Sequence, residues 1–434
     1  MNEVMIGILG LTVILVLFLT GIELGFGMAI VGFLGFGYLV SFKAAFNLVA
    51  KDIFDVFASY GFTVIPLFVL MGQIAFNAGI AKRLYDSGYK FIGHVPGGLA
   101  MATVAGAAAF GTVTGSATAT ASTFGSVAYP EMDRYHYNKK LSTGVIAVGG
   151  TLGSLIPPST TLIVFGMITE TSIGKLFLAA TVPGLIVSLT FIFIIYGWCK
   201  IDPFLGPTGE RSTWKERWVS LKEIIWVILI FTIVTGGMAW GFFTPTEAGS
   251  AGTFAVLLLS IFKRDLDLKG FIKSIAESLR TACMVLMLIA GSTILGHFLV
   301  VTKIPIYVAD WVGQLPLPPF LIMILILLIY EVGGSFIDDL AFLILATPIF
   351  FPVVIKLGYD GIWFGVILHI FAMIGIVIPP VAINVFVVRN ITKVPFGVIY
   401  SGVYPFLIGM ILCAALLFIF PQLITFLPSL FGIY

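Results

Sequence analysis

The chain has 434 residues, of which 59% are hydrophobic and 10% are charged, and its formal net charge is +2. Soluble domains carry about 25% charged residues, so this composition excludes an ordinary soluble protein. The small net charge, without any basic cluster, gives no support to nucleic-acid binding. Apolar runs of about 20 residues, each long enough to cross a lipid bilayer, recur along the sequence. We therefore expect an all-α polytopic membrane protein.

The apolar segments predict about ten full transmembrane helices and two re-entrant hairpins. Segments 95–130 and 318–355 are too long for one crossing, and two legs of about 15–17 residues reach only about 22–26 Å each. Such hairpins exist at membrane depth only where protein or water covers their tips. In chain order the segments are 3–20, 25–42, 57–78, 95–130, 141–168, 174–198, 223–241, 245–262, 277–300, 318–355, 361–388 and 397–427.

The first hairpin contains "GTVTGSATATAS", which concentrates small hydroxyl residues at its presumed tip. Small residues also allow tight helix packing, but the density of Ser and Thr favours a site lined by Ser116 and Thr118.

Segments 141–168 and 361–388 contain helix-breaking sequences. "GGTLGSLIPPST" combines three glycines, which allow unusual backbone angles, with two adjacent prolines, which each remove a donor. Thr151 and Ser154 could add hydroxyl oxygens to a cation cage beside the freed carbonyls. "GIVIPP" repeats the break in the second segment and is followed by Asn384. The alternative is a plain proline kink satisfied by neighbouring helices.

The second hairpin contains "GGSFIDDLAF", which places Asp338 and Asp339 at membrane depth with no basic residue nearby. Buried carboxylates are costly, and sodium coordination or a proton relay would account for one of them. The alternative is a hydrated pair at a solvent-exposed tip.

A polar linker, 199–223, divides the chain near its midpoint and prompts a search for a repeat. Six Lys and Arg residues flank the first hairpin and two lysines flank the second. The positive-inside rule therefore predicts that hairpin 95–130 enters from the cytoplasmic side and hairpin 318–355 from the periplasmic side. The two halves then form an inverted repeat. Three landmarks recur in order: Gly72 and Gly291 are 219 residues apart, Ser116 and Ser335 219, and Pro157 and Pro379 222.

Sequence motifs for chemistry are absent. The chain has no Walker A sequence, no HExxH and no Ser/His or Cys/His pairing that suggests a nucleophile. The sequence therefore does not predict an enzyme, and energy for transport would come from an ion gradient or another subunit.

Five stretches carry a resemblance to a known family: "GTLGSLIPPS", "TSIGKLFLA", "FTPTEAGSAG", "GSFIDDLA" and "IPPVAINVFV". In this combination, spread over residues 150–387, the chain resembles the large membrane subunit of tripartite ATP-independent periplasmic (TRAP) transporters. The resemblance implies an elevator-type secondary transporter in the bacterial inner membrane that imports an organic acid anion, such as sialic acid or a C4-dicarboxylate, with Na⁺. It also implies two partners, a small four-helix membrane subunit and a periplasmic substrate-binding protein.

The resemblance also implies sites and a division of the chain. Asp339 stands where a small residue is expected and Ile378 where Thr is usual. The expected units are scaffold helices 1–56, a first repeat 57–198, a cytoplasmic linker 199–223, scaffold helices 224–276 and a second repeat 277–427. The expected sodium ligands are Ser116, Gly150, Thr151, Gly153, Ser154, Gly334, Asp338, Gly375 and Pro379. The expected substrate contacts are Ser116, Thr118, Ser154, Ser335 and Asn384.

Two other classes remain open at this point. A stand-alone anion transporter or antiporter of related architecture would work without partners. An ion channel would need no pair of occluding hairpins, and its flux would show no sodium stoichiometry.

Overall fold

The computed structural model describes residues 3–313 and 316–432, and within these ranges it contains helices and no strands. The all-α prediction is confirmed. Residues 1 and 2 of the predicted unit 1–56 lie outside the described residues. The first ten helices are α1 Glu3–Leu19, α2 Leu24–Leu39, α3 Phe42–Ala58, α4 Val64–Asn77, α5 Ile80–Ile92, α6 Gly98–Thr114, α7 Ala117–Arg134, α8 Lys139–Leu155, α9 Thr160–Ile168 and α10 Ile173–Ile201.

The described part of the second half is also built of helices. A π-helical turn, Thr232–Gly236, interrupts the helix that starts the second half. The helices are α11 Trp214–Phe231, α12 Gly237–Ala239, α13 Pro245–Phe262, α14 Leu268–Thr302, α15 Ile304–Gly313, α16 Pro319–Phe336, α17 Asp339–Lys356, α18 Gly361–Gly375, α19 Ile383–Thr392, α20 Phe396–Ile419 and α21 Gln422–Leu430.

Within the described residues, 7 helices are long and apolar enough to cross a membrane, or up to 9 if each bent pair is one span. This is fewer than the ten expected from the sequence. The difference arises because α1, α2 and α18, each expected to contribute a full span, are apolar but only 15–17 residues long. A straight crossing takes about 20 residues.

Both predicted hairpin segments fold as two helices joined by a two-residue turn. In the first, Gly115 turns the chain with a left-handed φ of +61°, and the rings of Phe110 and Phe124 meet edge to face at 6.0 Å. In the second, the rings of Tyr330 and Phe342 meet edge to face at 5.7 Å. In each case the two legs pack against one another, which brings each hairpin to a narrow tip.

Both predicted helix breaks are present. The axis bends by 42° between α8 and α9, and the prolines of the first break are buried. In the second half α18 ends at Gly375 and α19 begins at Ile383. The Pro157–Pro158 and Pro379–Pro380 peptide bonds are cis. Helices α8 and α18 are buried along nearly their whole length. The first break therefore lies inside the protein, whereas Pro379 and Pro380 of the second break are exposed.

α14 is a continuous helix of 35 residues, so the boundary expected between 276 and 277 falls inside it. Its polar first turns continue the helix because Asp267 caps the start, accepting a hydrogen bond from Gly270 N at 2.7 Å. α14 crosses α2 where glycines permit close approach. An ideal Cβ on Gly25 would lie 2.8 Å from Met287 O.

The predicted linker is shorter than expected, because helices extend into it from both sides and leave only residues 202–213 between α10 and α11. This segment is hydrogen-bonded to the first half of the chain. Gly97 N donates to Gly206 O at 2.9 Å, and Asn138 N donates to Leu205 O at 3.0 Å. The linker therefore contacts the chain just before α6 and just before α8, at the base of the first hairpin.

Candidate functional site

A cavity of about 450 Å³ lies where the two hairpin tips meet the first helix break. Helices α4, α14 and α19 complete its wall. Of the sequence-predicted site residues, it brings together Ser116, Thr118, Ser154 and Asp338. Its polar side chains are those of Gln73, Thr114, Ser116, Thr118, Ser122, Ser154, Thr160, Thr161, Thr281, Asp338 and Asp339.

Three helices begin at this cavity. Thr118 lies in the first turn of α7, Thr161 in the first turn of α9 and Leu340 in the first turn of α17. The first N–H groups of a helix have no partner within the helix, and its dipole places partial positive charge there. The starts of α7 and α9, which carry no acidic residue in their first turns, favour an anion without any arginine.

The first hairpin tip is bonded to the start of α9. Gly115 O accepts hydrogen bonds from Thr160 Oγ1 at 2.9 Å and from Thr160 N at 3.3 Å. Ser116 caps α7, since its Oγ accepts from Ala119 N at 3.4 Å, and it lies 3.3 Å from Thr118 Oγ1. Capping is a sufficient structural role for Ser116, but it leaves hydroxyl lone pairs for a ligand in the cavity.

The second hairpin tip supplies the carboxylates. Asp338 caps α17, and its Oδ1 accepts from Ala341 N at 3.4 Å. Asp339 is the first residue of that helix, and its Oδ2 is shielded from solvent without a hydrogen-bond partner among the described residues. Buried carboxylate oxygens are ordinarily paired. At this tip the carboxylate of Asp338 is therefore hydrogen-bonded to the backbone, whereas one oxygen of Asp339 has no donor among the described residues.

Glycines let α8 lie directly against the first tip. An ideal Cβ on Gly150 would lie 2.6 Å from Ala121 Cβ and 3.0 Å from Ala117 O, and one on Gly153 would lie 2.7 Å from Ser116 O. No side chain fits at either glycine without displacing the tip. The broken helix and the tip carbonyls are consequently in van der Waals contact.

The two hydroxyls beside these glycines donate within their own helix. Thr151 Oγ1 donates to Val148 O at 2.7 Å, and Ser154 Oγ donates to Thr151 O at 3.0 Å. Because both hydroxyl protons are used, the remaining lone pairs can only accept a hydrogen bond or coordinate a cation. Ser154 reaches the cavity, whereas Thr151 is fully buried behind it.

In the second half a glycine again lets a broken helix lie against a hairpin leg, but the residues at this contact do not line the cavity. An ideal Cβ on Gly375 would lie 2.7 Å from Glu331 O and 3.0 Å from Gly334 C, so α18 lies against the end of α16. Ser335 is buried and its Oγ donates to Val332 O at 2.7 Å. Neither these residues nor the exposed Pro379 lines the cavity.

Asn384, expected to contact substrate, joins the second helix break to α8. Its Nδ2 donates to Ala147 O in α8 at 3.0 Å, and its backbone N donates to Ile376 O at 3.1 Å. The side chain is fully buried and does not line the cavity. Its Oδ1 has no partner among the described residues.

Two lining residues that were not predicted from the sequence are Gln73 in α4 and Thr281 in α14. Gln73 directly follows the repeat landmark Gly72, and its amide in an apolar helix is a signal that could have identified it. Thr281 lies in no motif.

The sequence was compared with protein families and with known proteins. Residues 11–423 match the family model described as "Tripartite ATP-independent periplasmic transporter, DctM component". The chain is 33% identical over 381 residues to the C4-dicarboxylate TRAP transporter large permease protein DctM of Pseudomonas aeruginosa, covering 88% of this chain and 87% of that protein. It is 31% identical over 416 residues to the sialic acid TRAP transporter large permease protein SiaM of Vibrio cholerae, covering 96% of each.

Two further comparisons extend this picture. The 2,3-diketo-L-gulonate TRAP transporter large permease protein YiaN of Escherichia coli is 29% identical over 379 residues, covering 87% of this chain and 89% of that protein. Among solved structures, the Alcanivorax borkumensis YdaH transporter superposes with a TM-score of 0.65 at 12% identity, covering 88% of this chain and 89% of that one. This likeness concerns the fold alone.

Proposed function

The chain belongs to the tripartite ATP-independent periplasmic transporter family as its DctM component, the large permease, and from this premise we propose that it imports an organic acid anion by sodium-coupled secondary transport. The bacterial inner membrane is the proposed location of this multi-pass protein. Its named relatives carry C4-dicarboxylates, sialic acid and 2,3-diketo-L-gulonate. The proposed substrate is an organic acid anion such as sialic acid or a C4-dicarboxylate.

The observation that carries the proposal is the cavity at which both hairpin tips, one helix break and three helix starts converge. The helix starts would hold the substrate carboxylate through N–H groups and dipoles. The hydroxyls of Ser116, Thr118 and Ser154 would bind its other polar groups. An anion could then be bound without an arginine clamp.

Sodium is the proposed coupling ion. In the first half its ligands would come from Ser116 and the 150–154 segment, where hydroxyl lone pairs and tip carbonyls lie together. In the second half they would come from Asp338 with the backbone at Gly334, Gly375 and Pro379. Hydroxyl, carbonyl and carboxylate oxygens are the ligands that hard cations prefer.

The proposed transport mechanism is of the elevator type. The tips and the broken helices pack so closely, at Gly150, Gly153 and Gly375, that they would move as one body. The first two helices and those around the linker would form the scaffold, and the two halves would be inverted repeats. A small four-helix membrane subunit and a periplasmic substrate-binding protein are the proposed partners.

Uptake of labelled sialic acid and C4-dicarboxylates into proteoliposomes tests the proposal. The chain is reconstituted with its neighbouring small membrane subunit, with and without the binding protein and with and without an inward Na⁺ gradient. We expect uptake only when all components and the gradient are present. Uptake by this chain alone would contradict the partners, and uptake indifferent to Na⁺ would contradict the coupling.

A further inference from the structure

We propose that Asp339 selects substrates with a single negative charge and several hydroxyl groups, and excludes dicarboxylates. This inference rests on the proposed function, because it concerns the substrate held in the same cavity. It assigns a specificity-determining role to a side chain that stands where a small residue is expected.

The first observation is the charge of the cavity wall. Asp338 and Asp339 line it, and no Lys, Arg or His is among its lining residues. The adjoining cavity, of about 230 Å³, shares Gln73 with the first and adds another acid, Glu277. Glu277 pairs with Lys273, whose Nζ lies 3.7 Å from Glu277 Oε1 and whose side chain is 59% exposed. The ionisable side chains on the described wall are therefore all acids.

The second observation separates the two aspartates. Asp338 uses one oxygen to cap α17, whereas Asp339 Oδ2 is shielded from solvent and has no partner among the described residues. A carboxylate accepts hydrogen bonds and a buried acceptor left unpaired is costly. A ligand hydroxyl in the cavity would supply the missing donor. An ionised carboxylate would supply only further acceptors.

The third observation limits the number of ligand charges. The starts of α7 and α9 carry no acidic residue and offer partial positive charge to one carboxylate group, whereas the start of α17 is already capped by Asp338. A second carboxylate would have no basic side chain to meet on the described wall and would face the aspartate pair. Like charges brought together in a desolvated site oppose binding strongly. The wall thus suits a hydroxylated monocarboxylate.

The test is direct binding to the purified complex with the small membrane subunit, without the binding protein, so that only the cavity discriminates. The probes are gluconate, a polyhydroxylated monoanion, and succinate, a dianion, each titrated in Na⁺. We expect gluconate to bind at least about ten-fold more tightly than succinate, and Asp339→Asn to reduce this ratio about ten-fold. Asp339→Ser serves as a second variant should the first fold poorly. Asp310→Asn, at an exposed ion pair with Lys356, is the matched control.

Each outcome decides the inference. A ratio that favours gluconate in the wild type and falls in the Asp339 variants alone supports it. Sodium-dependent binding that favours succinate, or a ratio unchanged by the Asp339 variants, overturns it and leaves the proposed function standing. Binding of neither acid, together with no sodium-driven uptake of any organic acid, contradicts both.

Discussion

Replacing Gly153 by alanine tests whether the contact between the first helix break and the hairpin tip is needed for transport. An ideal Cβ at this position overlaps Thr120 and lies 2.7 Å from Ser116 O. The second neighbour is backbone, which cannot rotate away. The added methyl group must therefore push the tip of the hairpin off α8.

Gly149, four residues earlier in the same helix, provides a matched control. An ideal Cβ on Gly149 would lie 3.6 Å from Ala107 Cβ, an ordinary van der Waals contact. Both substitutions gain about 1 kcal/mol of helix propensity. Overpacking at Gly153 alone costs about 1–3 kcal/mol, so the two variants should differ in free energy of unfolding by about that amount.

The assay combines the melting temperature in detergent with the initial rate of sodium-driven uptake, normalised to folded protein. We expect Gly149→Ala to behave as the wild type or to melt slightly higher. We expect Gly153→Ala to melt lower and to take up substrate at least about five-fold more slowly. Equal melting and equal uptake of the two variants would refute the reasoning, because it would show that the tip does not need this contact.

Three further predictions concern other contacts. Asp338→Asn and Ser154→Ala should each insert normally but raise the half-saturating sodium concentration about ten-fold, measured by uptake, and unchanged sodium dependence in both contradicts the assignment. Asn384→Leu should lower the free energy of unfolding by about 1–3 kcal/mol, seen as a lower melting temperature, because the bond to Ala147 O is lost. Arg83→Ala removes a cation that lies 3.2 and 2.6 Å from two carboxylates and should cost about 1 kcal/mol at low salt. The loss should shrink at high salt, and a salt-independent loss would argue against an ionic role.

The sequence predicted the parts of the fold that depend on strong local signals. Adjacent prolines preceded by glycines end helices whatever their surroundings, and both breaks occur where Pro157 and Pro379 stand. Segment length alone indicated the hairpins. The count of membrane spans was less accurate, because hydropathy does not reveal where a helix of 15–17 residues ends.

The site was predictable where sequence position coincides with a tip or a break. Ser116 and Asp338 line the cavity because each occupies the turn of a hairpin. Ser335 does not, although the repeat pairs it with Ser116, because it still lies within α16 and bonds to that helix. Thr281 could not be predicted, since only the rotation of α14 turns it towards the cavity.

The docking of the linker has a mechanical consequence. Residues 202–213 are held by main-chain bonds at the base of both legs of the first hairpin and then run directly into α11. Because the segment is bonded at this base, a displacement of the hairpin base would be transmitted through it to the start of α11. The nearest place along that helix able to yield is the π turn at 232–236, where the regular hydrogen-bond ladder is already interrupted. We therefore expect the π turn to take up a displacement of the linker.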